Sequence, residues 1–265
     1  LRDFSRVVQG VLLQEPSDQF QNKPSVMRLW THEALRVFGD RLTDDTDRQW
    51  MCDHCSAMCK EVFKCDFQSE FDHIRPADET ETGYGTLRRL FWGDYMTPAD
   101  EDERPYAEVP DLQQLQERTE EALSDFNSAS KKPMELVMFM FAIEHVSRIA
   151  RVLRMPGGNA LLVGVGGSGR QSLSILATEM AGYQLFRIEI TKSYGMTEWR
   201  EDLKTVLIEA GAGDRPLVFL FSDTQISMES FVEDINNMLN AGEVPNIFPS
   251  DERVAICEKV RPFAK

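Results

Sequence analysis

Gly164-Val165-Gly166-Gly167-Ser168-Gly169-Arg170-Gln171-Ser172 is the stretch on which the reading of this chain turns. It follows an apolar run at residues 160–163 and opens a helical pattern over 171–181. Glycines placed there let successive backbone N–H groups turn inward around a phosphate, and the helix behind them adds the positive end of its dipole. The spacing from Gly164 to Gly169, followed at once by a basic side chain, is that of a P-loop. The candidate phosphate-binding residues are therefore Gly164, Gly166, Gly167, Ser168, Gly169, Arg170, Gln171 and Ser172. The ligand implied is ATP or ADP, with Mg2+ as its usual companion.

Downstream, short apolar or β-rich runs at 184–190 and 217–221 alternate with helical patterns at 197–210 and 227–239. With 160–163 as the first strand, the order is βαβαβα, the pattern of a parallel sheet covered by helices. Upstream the chain reads as helices at 2–13 and 25–42, then a third capped by Thr46 or Asp47 with Trp50, Met51, Met58, Val62 and Phe63 on its apolar face. Residues 75–85 and 96–110 read as loops, the second carrying an acidic run at 100–103, with a short strand at 87–91 between them. Helices follow at 111–128 and 134–153, the latter stopped by Met155-Pro156-Gly157-Gly158. The expected division is a helical part over 1–110 and an α/β part over 111–265.

Two positions depart from an ordinary P-loop. Arg170 keeps the positive charge of the usual lysine but replaces a compact ammonium on a thin stem with a wide planar fork. Gln171 stands where a serine or threonine hydroxyl normally ligates magnesium; Ser172 is one residue late, which on a helix turns it about 100° away. The run at 217–221 ends in Ser222-Asp223-Thr224-Gln225, where an ATPase would carry an Asp-Glu pair. Asp223 can take the metal-side role or the catalytic role, and either register lacks one acid. Hydrolysis needs the metal held and the water oriented together, so slow or absent turnover is the expectation.

The chain of 265 residues carries 29 basic against 44 acidic side chains, a net charge of −15, which argues against nucleic acid or an anionic membrane as partner. No apolar run reaches bilayer length, and Leu1-Arg2-Asp3-Phe4 lacks the layout of a signal peptide, so the expectation is a soluble intracellular protein. Cys52, Cys55, Cys59 and Cys65 cluster with His54, but 52, 55 and 59 share one helical stripe and no second pair follows at zinc spacing; a buried stripe is the better reading.

Residues 158–173, then 184–195 (QLFRIEITKSYG), resemble the fourth AAA+ module of dynein heavy chains, in particular the axonemal branch. Residues 2–13, 42–48, 132–153 and 242–252 extend the resemblance over nearly the whole chain. It implies a P-loop AAA+ α/β subdomain with an incomplete three-layer parallel sheet, preceded by the helical lid of the third module. Arg2 looks like the sensor-two arginine of that preceding module, which would touch the nucleotide held there. The implied parent is an ATP-driven, microtubule-based motor of the cilium or flagellum axoneme, a cytoskeletal assembly in the cytoplasm. Its partners would be the rest of the heavy-chain ring, microtubules, and intermediate and light chains. A degenerate fourth site suits a regulatory or structural role in that ring.

Overall fold

Helical periodicity in the first part of the chain produces α1 (Arg2–Val11), α2 (Lys23–Val37) and α3 (Asp45–Met58). The computed structural model describes residues 1–15, 22–101 and 103–263; Asp102, within the acidic run, lies outside the described residues. Asn22 caps α2 by accepting the Ser25 N–H at 2.8 Å, and Pro24 occupies the first turn, where a missing N–H breaks no helical bond. Asp44 caps α3, earlier than the expected Thr46 or Asp47, because its carboxylate accepts the Asp47 N–H at 2.9 Å.

Packing explains the cysteine stripe. Cys52, Cys55 and Cys59 are buried beside Met27, Leu35, Phe67 and Phe71. Burial pushes their thiols up to about 11, 12 and 12, so they stay protonated and apolar.

Two local readings are corrected between residues 84 and 110. The expected strand at 87–91 is instead preceded by the short helix α5 (Tyr84–Leu87), which follows α4 (Phe67–Glu70). The Thr86 side chain accepts the Gly83 N–H, closing a helical turn there. Pairing moves one step later, to β1 (Trp92–Gly93), whose antiparallel partner β2 (Ala107–Glu108) lies inside the expected loop.

Next come α6 (Leu112–Ala129), capped by Asp111, and α7 (Met140–Arg154). The latter starts well after residue 134. The Asn127 amide grips the Met134 backbone on both sides, at 2.7 and 2.9 Å, and holds that segment out of helical geometry.

All of this belongs to the first of two compact units, Leu1–Ala160. Both α6 and α7 fall within this compact unit. At the unit's centre Glu33 on α2 is completely buried. Its carboxylate accepts from Arg151 of α7 through Nε at 2.9 Å and also through Nη2, and from Tyr106 Oη at 2.7 Å; His32 Nδ1 lies 3.0 Å away. Burial alone would raise the Glu33 pKa, but His32 and Arg151 more than offset it and hold the carboxyl at about 2. Gly10 of α1 lies against the same group: a Cβ there would come within 1.7 Å of Glu33 Oε2.

The second unit, Leu161–Lys265, contains α8 (Arg170–Met180), β3 (Gln184–Phe186), α9 (Met196–Ala212), β4 (Leu217–Phe219), α10 (Glu229–Ala241) and α11 (Ser250–Val260). Strands β3 and β4 pair in parallel, with Phe186 opposite Phe219. Its core is built on Trp199, which stacks on Phe231 at 4.3 Å and donates Nε1–H to Asp234 at 2.9 Å. None of the residues of α11 is buried, so periodicity offers no apolar face by which to read it.

The expected strand at 160–163 is not formed. Leu161 is 91% and Val163 85% exposed, and neither β3 nor β4 pairs with the segment. A strand of the fully apolar, parallel type needs pairing neighbours and cover on both faces, and among the described residues it has neither. No helix of the described residues is long and apolar enough to cross a membrane.

These packings set three expectations. Glu33→Gln leaves the Arg151 guanidinium buried without its counter-charge and should cost about 3–5 kcal/mol in urea unfolding. Because the folded pKa of Glu33 is depressed, its stabilisation is present above the ordinary glutamate value of 4.5 and fades as pH falls toward about 2. Wild type should lose stability over that window more steeply than Glu33→Gln does. In the second unit, Trp199→Ala should cost about 3–5 kcal/mol, read by the same titration.

Candidate functional site

The glycine loop leads directly into α8. Gly169 is the N-cap at φ 77° and Gly167 stands at φ 79°, both in the left-handed region that side chains strain to adopt. At Gly166 and Gly167 a Cβ would meet nothing within 4 Å, so the backbone faces open space. The first N–H groups of α8 have no acceptor within the helix, which makes this turn a receptor for an anion. A phosphate fits this loop.

Arg170 is the first residue of α8, and its Nη2 donates to the Val165 carbonyl at 3.1 Å. The fork thus folds back along the loop instead of extending as a lysine would. Gln171, on the same turn, accepts at Oε1 from Arg187 Nη2 at 3.2 Å. Ser172 follows on α8, half-buried.

Asp223 lies just past β4, in the 3-10 turn Asp223–Gln225. Its Oδ1 accepts the Thr224 N–H at 3.0 Å, while the turn is capped by Ser222, whose N–H and hydroxyl both donate to Gln225 Oε1. Gln225 Nε2 in turn donates to the Ile188 carbonyl at 2.8 Å. The segment leaving β3 therefore touches both halves of the site. Arg187 holds the first turn of α8, and Ile188 holds the turn that carries Asp223. This is the carboxyl end of a parallel pair, where α/β folds bind their ligands. Arg2 is exposed at the start of α1, in the other unit.

Arg187 is the residue that reading by motif leaves out. It lies outside the loop, and the signal that marks it is its register: the first residue after β3, at the end of the sheet where the glycine loop opens.

Magnesium fits less well than phosphate. The oxygen at the usual hydroxyl position belongs to an amide, and that oxygen already accepts a guanidinium N–H. A single carboxylate, Asp223, stands where two acids are customary.

The chain is similar to known proteins along its whole sequence. The family model for the P-loop containing dynein motor region D4 matches residues 134–265, and the model for the dynein heavy chain ATPase lid domain matches residues 1–48. Mouse dynein axonemal heavy chain 3 is 49% identical over 265 residues, all of this chain. Mouse dynein axonemal heavy chain 1 is 44% identical over 263 residues, 99% of the chain, and human dynein axonemal heavy chain 6 is 40% identical over 266 residues, all of this chain. The chain spans about 6% of the length of each of these relatives. Use of nucleotide with Mg2+ is general in this motor family. The chain belongs to the axonemal dynein heavy chains, as a segment running from an ATPase lid to the D4 motor region, and through them to the axonemal cytoskeleton of cilia and flagella.

Proposed function

We propose that this segment holds ATP or ADP in the fourth AAA+ module of a dynein heavy chain and turns it over slowly or not at all. Residues 1–110 would serve as the helical lid of the preceding module with its connecting loops, and 111–265 as the large subdomain of the fourth. Gly164, Gly166, Gly167, Ser168 and Gly169 supply the backbone cradle, Arg170 the charge, and the first turn of α8 with Gln171 and Ser172 the remaining donors. Arg2 would reach the nucleotide of the preceding module. The parent would be an ATP-driven microtubule motor working with the rest of its ring and with intermediate and light chains, and this module would regulate it.

One contrast carries this reading: the glycine frame is complete, with Gly167 and Gly169 left-handed and Gly166 and Gly167 over open space, while the hydrolytic side has a single acid. Asp223 is the candidate for the metal-side or the catalytic place, and one carboxylate cannot hold a metal and orient water at once.

Calorimetry with ADP, paired with a phosphate-release assay, tests it. Arg170→Ala should weaken ADP binding by about tenfold or more, as expected for loss of a hydrogen bond to a charged group. Phosphate release should stay at background. Equal ADP affinity in both proteins would remove the binding assignment, and turnover of about 1 s⁻¹ or faster would restore an active ATPase.

A further inference from the structure

Arg187 is unusually placed for its charge. It leaves the carboxyl end of β3, and its Nη2 donates to Gln171 Oε1 on the first turn of α8, 3.2 Å away. Acidic groups are near: Glu189, Glu198, Glu201 and Asp202 border, with Arg187, one shallow cavity of about 500 Å³. Three of them are engaged elsewhere. Glu198 accepts the Gly195 N–H, Asp202 accepts the Tyr194 hydroxyl, and Glu201 pairs with Lys204. Arg187 makes no ion pair with any carboxylate of the described residues, and neither does Arg170, whose fork binds the Val165 carbonyl. In a chain with 44 acidic side chains, two guanidinium groups directed at neutral oxygens around one glycine loop keep their charge available to an anion.

Gln171 occupies the position from which a hydroxyl would bind magnesium, and its oxygen is taken by a cation that belongs to the protein. We propose that Arg187 stands in for the divalent metal at this site, so that a nucleoside diphosphate is held by Arg170 and Arg187 with little need of Mg2+. The proposal rests on the nucleotide-binding reading given above. Arg170 carries the charge of the usual loop lysine, and Arg187 adds one positive charge where Mg2+ would bring two. A guanidinium has five N–H donors in a planar fork, so one can hold Gln171 while others face phosphate oxygens in bidentate fashion. The Gln171 side chain acts as the positioning group: it fixes the fork of Arg187 at the mouth of the loop, and of this residue only the backbone N–H faces the anion.

The probe is ADP, titrated into the 265-residue chain by calorimetry with excess EDTA and again with excess Mg2+. Wild type should bind with affinities within about threefold of each other in the two conditions, where a metal-dependent site would differ by tenfold or more. Arg187→Gln should weaken binding in EDTA by about tenfold, the usual worth of a charge-assisted hydrogen bond, and should introduce a dependence on Mg2+ that wild type lacks. Arg187→Lys, which keeps the charge and loses the fork, should fall between the two. Thermal melts of each variant establish that the exposed substitution leaves folding intact. If Arg187→Gln binds ADP in EDTA as tightly as wild type while Arg170→Ala does not, the role of Arg187 is wrong and the nucleotide site stands. A wild-type affinity that collapses in EDTA also overturns it. Absence of ADP binding by wild type in both conditions removes the nucleotide reading itself, and this proposal with it.

Discussion

A fully buried carboxylate, Glu33, organises the helical unit. His32 is its neighbour on the same helix, and its other partners come from far along the chain: the Tyr106 hydroxyl beside β2 and the Arg151 guanidinium on α7, at sequence separations of 73 and 118 residues. An isolated charge at this depth would be prohibitively costly, so these three segments must arrive together or the unit does not close. Gly10 shows how tightly the arrangement is set, because α1 approaches the carboxylate more closely than any side chain on it would permit. The apolar core around Met27, Leu35 and the cysteine stripe supplies the bulk of the driving force, and the buried ion pair selects which packing of those helices is adopted.

The α/β unit is organised differently. Its centre is an aromatic stack, Trp199 on Phe231, tied by one hydrogen bond to Asp234, and its two parallel strands are short. What those strands contribute to the site is position. The two residues that follow Phe186 place a guanidinium on the phosphate-loop helix and a carbonyl on the turn bearing Asp223, so both halves of the candidate site hang from one strand end.

Much of this was legible from local pattern. The glycine loop, the start of α8, the helix at α1 and the helix start near residue 111 all depend on backbone preferences and neighbours within about four residues. Cys52, Cys55 and Cys59 fell on one helical stripe and are buried as such. Local pattern misled at residues 160–163, where an apolar run has the composition of a strand but lacks pairing partners, and at 134, where the Asn127 amide holds back a helix that the apolar spacing would have begun. It also misplaced β1, expected at 87–91 and formed at Trp92–Gly93, after a helical turn that begins at Gly83 and takes in Leu87.

The sequence by itself determined that a phosphate-type loop is present, that its lysine and hydroxyl are replaced by Arg170 and Gln171, and that only Asp223 stands where two acids are usual, because each of these is a matter of residue type at fixed spacing. Tertiary structure decided what those residues meet. That Gln171 is held by Arg187, that Glu33 is buried against Arg151, and that residues 160–163 stay uncovered follow from packing between distant segments, whose free energy no local window of sequence contains.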